Sequence, residues 1–131
     1  MSFKLEIVSP EKLFFSDDNI EEVVIPAYEG EMGILKDHIP IISFLKPGIL
    51  KLYNSQNKEE KFYIEDGVVE FNDNCLIVLT SKISDIKNLE KQEINKMIRD
   101  SEKDLNNENI EDGTRYLINQ KLDTLRSLSL N

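Results

Sequence analysis

The chain has 131 residues, 40% of them hydrophobic and 31% charged, with a net charge of −9. That length allows one modest core with an appendage, and that balance marks a folded chain rather than a disordered one. An acidic surface argues against non-specific nucleic-acid binding, which demands a basic face, and no run approaches the roughly 20 apolar residues of a membrane helix.

At the N-terminus Phe3, Leu5 and Ile7 alternate with Lys4 and Glu6. That is a strand pattern, without the basic-then-apolar shape of a signal peptide. Short strand signals then recur over Lys12–Phe15, Glu21–Ile25, Gly33–Leu35, Ile41–Phe44, Gly48–Tyr53, Lys61–Glu65, Val68–Phe71 and Cys75–Thr80. Polar turns separate them at Ser16 to Asn19, Asn54 to Glu59, Asp66-Gly67 and Asn72 to Asn74. Many short strands at near-regular spacing predict an antiparallel sandwich or flattened barrel, with no room for the helices that parallel crossovers usually need.

From Asn88 the period changes. Ile94, Met97, Ile98, Ser101 and Leu105 follow helical spacing, with Asn88 as the expected N-cap. A second helix is expected after Asn109, with Asp112 completing a box-like cap and Ile118, Leu122, Leu125 and Leu128 on its apolar face. Gly113 either admits a close neighbour or marks a frayed first turn. Two helices of this length cannot bury their faces alone and must dock on something. Charge divides at the same place: residues 1–84 carry eight basic against fifteen acidic side chains, a net of −7, and residues 85–131 carry eight against ten, a net of −2. The fold class is therefore mostly β plus α. A β-sandwich domain over 1–84 precedes an antiparallel helical hairpin over 85–131.

Signatures of catalysis are missing. There is no phosphate-binding Gly-rich loop ending in Gly-Lys-Ser/Thr, no G-x-S-x-G elbow, and His38 is the sole histidine. Asp37 adjoins His38, but neighbours on a strand face opposite ways, so the pair need not form a dyad. Glu29 and Glu31 supply two carboxylates, too few for a calcium loop. Cys75 stands alone beside Leu76-Ile77-Val78, which excludes an internal disulfide and reads as a small strand residue.

The stretch VVIPAYEGEMGILKDHIPIISFLKPGIL, Val23 to Leu50, carries more information than the strand pattern. Ile25-Pro26, Glu29-Gly30, Gly33-Ile34-Leu35, His38, Pro40 and Leu45-Lys46-Pro47-Gly48 stand in an order and spacing that resembles the epsilon subunit of F-type ATP synthases, called delta in mitochondria. Phe62-Tyr63-Ile64, Gly67 to Glu70 and Leu76 to Thr80 continue the likeness. Lys36 departs from it, since that family usually has Pro there.

The resemblance implies a non-catalytic central-stalk subunit, not an enzyme in itself, that couples rotation of the membrane ring of c subunits through the gamma subunit to ATP synthesis. It implies that Glu29, Gly30, Glu31 and Met32 face the c-ring and that His38, Ile39 and Pro40 meet gamma. It implies that Lys96, Arg99, Lys103, Arg115 and Lys121 of the hairpin can face an acidic segment of the beta subunit in the alpha/beta catalytic head and brake hydrolysis. The implied location is peripheral, on the cytoplasmic face of the bacterial inner membrane, without membrane insertion and without nucleic acid. Some relatives bind ATP between the helices; Glu93 reverses the charge of the Arg expected there, so no cofactor is expected. The alternative is a free-standing nucleotide-sensing protein of the same two-part build.

Overall fold

The computed structural model describes residues 2–130. The chain divides into two compact units, one up to Ile86 and the other from Lys87.

Among the described residues the first unit holds nine strands: β1 (Phe3–Ser9), β2 (Lys12–Ala27), β3 (Gly30–Leu35), β4 (Ile41–Leu45), β5 (Gly48–Asn54), β6 (Glu59–Ile64), β7 (Gly67–Asn72), β8 (Cys75–Leu79) and β9 (Ile83–Asp85). Their hydrogen-bonded order is β1-β8-β7-β4-β2-β5-β6-β9, with β3 also on β2 and β1 also on β2. The path β1-β8-β7-β4-β2 thus returns to β1, and the sheet closes on itself. This is the expected sandwich, except that β1 and β8 run parallel. No crossover helix is needed, because the intervening six strands make the connection.

The expected break at Ser16 to Asn19 is not a turn. Those residues lie inside β2, which runs for 16 residues. Phe3 pairs with Ile20 but Leu5 with Asp17, and Ile7 pairs with Phe15 but Val8 with Leu13. Each step leaves one extra residue in β2, which is a β-bulge that bends the strand and raises its twist. The polar residues Asp18 and Asn19, which would end a flat strand, sit at the first of these bulges, and Phe14 sits at the second. β9 has no counterpart among the expected strands; it is three residues long and pairs with β6 through Phe62↔Asp85, Tyr63↔Ser84 and Ile64↔Ile83.

Inward side chains make one dry cluster that includes Leu5, Ile7, Ile20, Val23, Ile25, Ile34, Leu50, Leu52, Ile64, Val69, Leu76 and Val78. Phe3 meets Phe71 edge-on with centroids 5.5 Å apart, and Phe14 meets Phe62 at 5.6 Å. Tyr63 is fully buried and donates from its hydroxyl to Glu65 Oε2 at 2.9 Å. Burial first, then the Glu65 charge, holds its phenol far above the ordinary range. Cys75 opens β8 half-buried; burial pushes its thiol up, with the Glu6 charge adding to the effect, so it stays an inert thiol.

The second unit pairs α1 (Lys91–Leu105) with α2 (Asp112–Ser129). Glu90, not Asn88, caps α1, and Glu93 Oε1 accepts from the Glu90 backbone N–H at 3.4 Å. Asn88 is taken up in a short 3-10 turn, Ile86–Asn88. Likewise Glu111 is the N-cap of α2 and Asp112 its first residue, where a carboxylate suits the positive end of the helix. Ile94, Ser101, Leu122 and Leu125 are buried, as the helical spacing predicts, and Arg126 bridges to Glu102 at 3.0 Å.

Two glycines separate close packing from mere propensity. A Cβ on Gly48 would lie 2.7 Å from Pro26 Cβ, whereas one on Gly113 would meet nothing within 4 Å. The close-neighbour reading of Gly113 is therefore set aside. Gly48→Ala is expected to destabilise the β unit by about 1–3 kcal/mol through overpacking. Gly113→Ala is expected to stabilise the hairpin by about 0.5–1 kcal/mol through helix propensity. Thermal melts of the two variants should move in opposite directions.

Candidate partner-binding surface

The sheet face built by β4, β7, β8 and β1 has two kinds of row. Ser43 pairs with Val69, Val69 with Val78, and Val78 with Ile7. All four are buried. One residue along, Phe44 pairs with Val68, Val68 with Leu79, and Leu79 with Val8. Successive residues of a strand face opposite sides, so this second row points outward. It is nonetheless apolar across all four strands. Phe44 is 61% exposed and Leu79 51%.

Tyr28 and the outward row border an open groove of about 640 Å³. Asp66, Thr80 and Ser81 form its polar rim. Ile42, 68% exposed, lies beside a second groove with Pro40, Glu70 and Phe71. An antiparallel sheet that faces water on one side carries polar residues there, and a contiguous outward apolar patch marks a contact surface.

The β-unit residues singled out in the sequence lie in and beside the turns at the two ends of β3. The two-residue turn Tyr28-Glu29 joins β2 to β3, with Ala27 opposite Gly30. Gly30 has φ +130°, a conformation that side chains resist, so it is there to shape the turn. Glu29 and Glu31 are exposed. Met32 instead packs against the core cluster, so it supports the tip from below. At the other end of β3, roughly 17 Å away by strand rise, the chain enters the loop carrying His38, Ile39 and Pro40.

His38 is half-buried, with its ring edge-on to Phe71 at 5.9 Å. Its Nδ1 donates to the Ile39 carbonyl, 2.7 Å away, because a carbonyl can only accept. The Asp37 carboxylate is held by Asn74 instead. The loop thus brings no carboxylate to the imidazole. Ile39, 71% exposed, and Pro40 present an apolar tip. Among the described residues no group of three or more His, Cys, Asp or Glu side chains could hold a metal ion, and no helix is long and apolar enough to cross a membrane.

In the hairpin, Lys96, Arg99 and Lys103 are exposed on α1 and Arg115 is exposed on α2, while Lys121 is half-buried. The outward apolar row was absent from the residues singled out in the sequence. Its signal is present in β4, Ile41-Ile42-Ser43-Phe44-Leu45, where the outward pair Ile42 and Phe44 is apolar and only Ser43 interrupts the inward set. Such a run also fits a strand buried on both faces, and only pairing separates the two.

Asp66 supports the rim of the larger groove. Partial burial pushes its carboxyl up, but hydrogen bonds from the Ser81 hydroxyl and backbone N–H and from the Thr80 hydroxyl outweigh that and leave it below the ordinary value of 3.8. A depressed carboxyl contributes stability above its unfolded value and loses it as pH falls through the folded one. The β unit should therefore lose melting temperature as pH drops below about 4, and Asp66→Asn should flatten that slope in melts between pH 7 and 2.5.

Residues 2–85 match the family described as ATP synthase, delta/epsilon chain, beta-sandwich domain. An ATP synthase epsilon chain of Pelagibacter ubique is 53% identical over 97% of both chains. That of Chlorobium limicola is 41% identical over 83 residues, 63% of this chain and 93% of its own, so it is barely longer than the matched stretch. In fold, the chain superposes on one in the cryo-EM structure of the Euglena gracilis mitochondrial ATP synthase with a TM-score of 0.78 at 18% identity, over 98% of this chain and 80% of the other. With the family matched over most of its length and an epsilon chain matched end to end, the chain belongs to the ATP synthase delta/epsilon family.

Proposed function

We propose that this chain is a non-catalytic rotor subunit of an F-type ATP synthase, peripheral at the cytoplasmic face of the bacterial inner membrane. The β unit clamps the gamma subunit to the ring of c subunits, so that ion-driven rotation of the ring turns gamma within the alpha/beta head. The carrying observation is the outward apolar row Phe44, Val68, Leu79 and Val8, beside the exposed tip of Ile39 and Pro40. A surface of this kind suits permanent burial against gamma. The acidic tip of Glu29 and Glu31, a strand's length from the His38 loop, suits the c-ring, where charge sets register more than affinity.

The hairpin acts as a conditional brake on ATP hydrolysis. Lys96, Arg99, Lys103 and Arg115 are exposed and suited to acidic residues of the head, and Lys121 is half-buried. Engagement is a population shift; reversing a 1:99 ratio takes about 5.5 kcal/mol of differential binding. With a net charge of −2, the hairpin makes a weak electrostatic brake. The nucleotide-sensor alternative has no observation in its favour: Glu90 and Glu93, at the stretch where relatives carry the ATP motif, cap α1.

The test uses the cognate catalytic head prepared without this subunit. Phe44→Ser and Leu79→Ser should each weaken binding to it by about 1–2 kcal/mol while leaving the melting temperature unchanged. Unchanged binding in the double variant would overturn the assignment of this face. A chain ending at Ile86 should still bind, and only the full chain should slow hydrolysis. Replacing Lys96, Arg99 and Lys103 by Ala should relieve the slowing without releasing the chain from the head.

A further inference from the structure

The loop that carries His38, Ile39 and Pro40 lies between β3 and β4, over residues 36–40 outside any strand. Ile39 is 71% exposed, so its own packing cannot fix the tip. Lys36 imposes no φ of its own, unlike a proline. Yet Asp37 takes φ +66°, a left-handed conformation uncommon outside glycine and, among other residues, enriched in Asn and Asp.

The partner that holds it comes from 37 residues away. Asn74 Oδ1 accepts from the Asp37 backbone N–H at 2.7 Å, and Asn74 Nδ2 donates to Asp37 Oδ1 at 2.9 Å. The two side chains therefore close a reciprocal pair, one bond of it charge-assisted. Asn74 is itself fixed. It sits in the two-residue turn Asp73-Asn74 between β7 and β8, with φ of 51° and 57°, the positive pair that a tight hairpin turn requires. Its carbonyl also accepts from the Lys4 N–H at 3.1 Å, which ties the turn to β1. Beyond Asp37, the His38 N–H donates to the Leu35 carbonyl at 3.1 Å and its ring rests on Phe71.

We infer that Asp37 and Asn74 are positioning residues: a reciprocal clamp that anchors the β3–β4 loop to the β7–β8 turn and holds Ile39 and Pro40 in their partner-binding shape before the partner arrives. Binding then does not have to order the loop, and that ordering would otherwise weaken association. The inference rests on the proposed contact of this loop with gamma.

The clamp's chemistry supplies its test. Asn74→Asp sets two carboxylates against each other. Asp37→Asn on the same chain restores a donor between them, with the roles exchanged. Full-length chains are compared by amide hydrogen exchange at residues 37 and 38, by affinity for the catalytic head lacking this subunit, and by melting temperature. Asn74→Asp should speed exchange and weaken head binding by roughly tenfold, about one charge-assisted hydrogen bond, with little change in melting temperature. The double variant should recover both. Unchanged exchange in Asn74→Asp, or no recovery in the double variant, overturns the clamp. Ile39→Ser tests the contact separately. If it weakens binding while Asn74→Asp speeds exchange without weakening binding, the preset shape is irrelevant and the inference falls. If Ile39→Ser leaves binding intact, the gamma contact of this loop is the reading that fails, and exchange alone decides the clamp.

Discussion

The β unit depends on the bending of one strand. β2 pairs with β1 along its first half and with β3, β5 and β4 along its second. A flat strand of 16 residues could not serve so many neighbours. Two bulges opposite β1, and a further register shift between Ile20 and Glu22 opposite β5, turn it from one layer to the other. Closure follows, and closure is what removes water from Leu5, Ile7, Ile20, Ile25 and Leu52 together. Burial on that scale is the main favourable term for a domain this small.

Closure also decides which apolar residues are left over. Once the inner row Ser43, Val69, Val78 and Ile7 fills the interior, the alternating residues have nowhere to go but outward. A chain under selection only for solubility would place Lys, Glu or Thr there. Phe44 and Leu79 stand there instead, and an outward apolar patch of that kind marks a contact surface. His38 turns its Nδ1 to a backbone carbonyl, and Asp37 is engaged with Asn74. Groups that could have made a dyad are used to shape a loop.

The hairpin follows different physics. Among the described residues its helices are held by an apolar stripe that includes Ile94 on α1 and Leu122 and Leu125 on α2, and the exposed ion pair of Arg126 with Glu102 adds to it. Exposed pairs contribute at most about 1 kcal/mol. Ser101 is buried with no hydrogen-bond partner for its hydroxyl among the described residues, a further small cost.

What the sequence determined by itself was set by local chemistry. Alternation placed most strands, Gly and Asn clusters placed most turns, and helical spacing placed Ile94, Leu122 and Leu125 inward. The order of turns from Ile25 to Gly48 was specific enough to point to the family. Tertiary structure decided what depends on partners distant in sequence. Asp17 to Asn19 became a bulge rather than a turn because β1 pairs across them. Ile83 to Asp85 became a strand because β6 offers an open edge. Phe44 faces water and Leu45 does not because pairing with Val68 and Gly67 fixes which side is inside. Asp37 meets Asn74 only because the sheet brings the two turns together. Each of these is a question of register, and register is a relation between strands that no single segment contains.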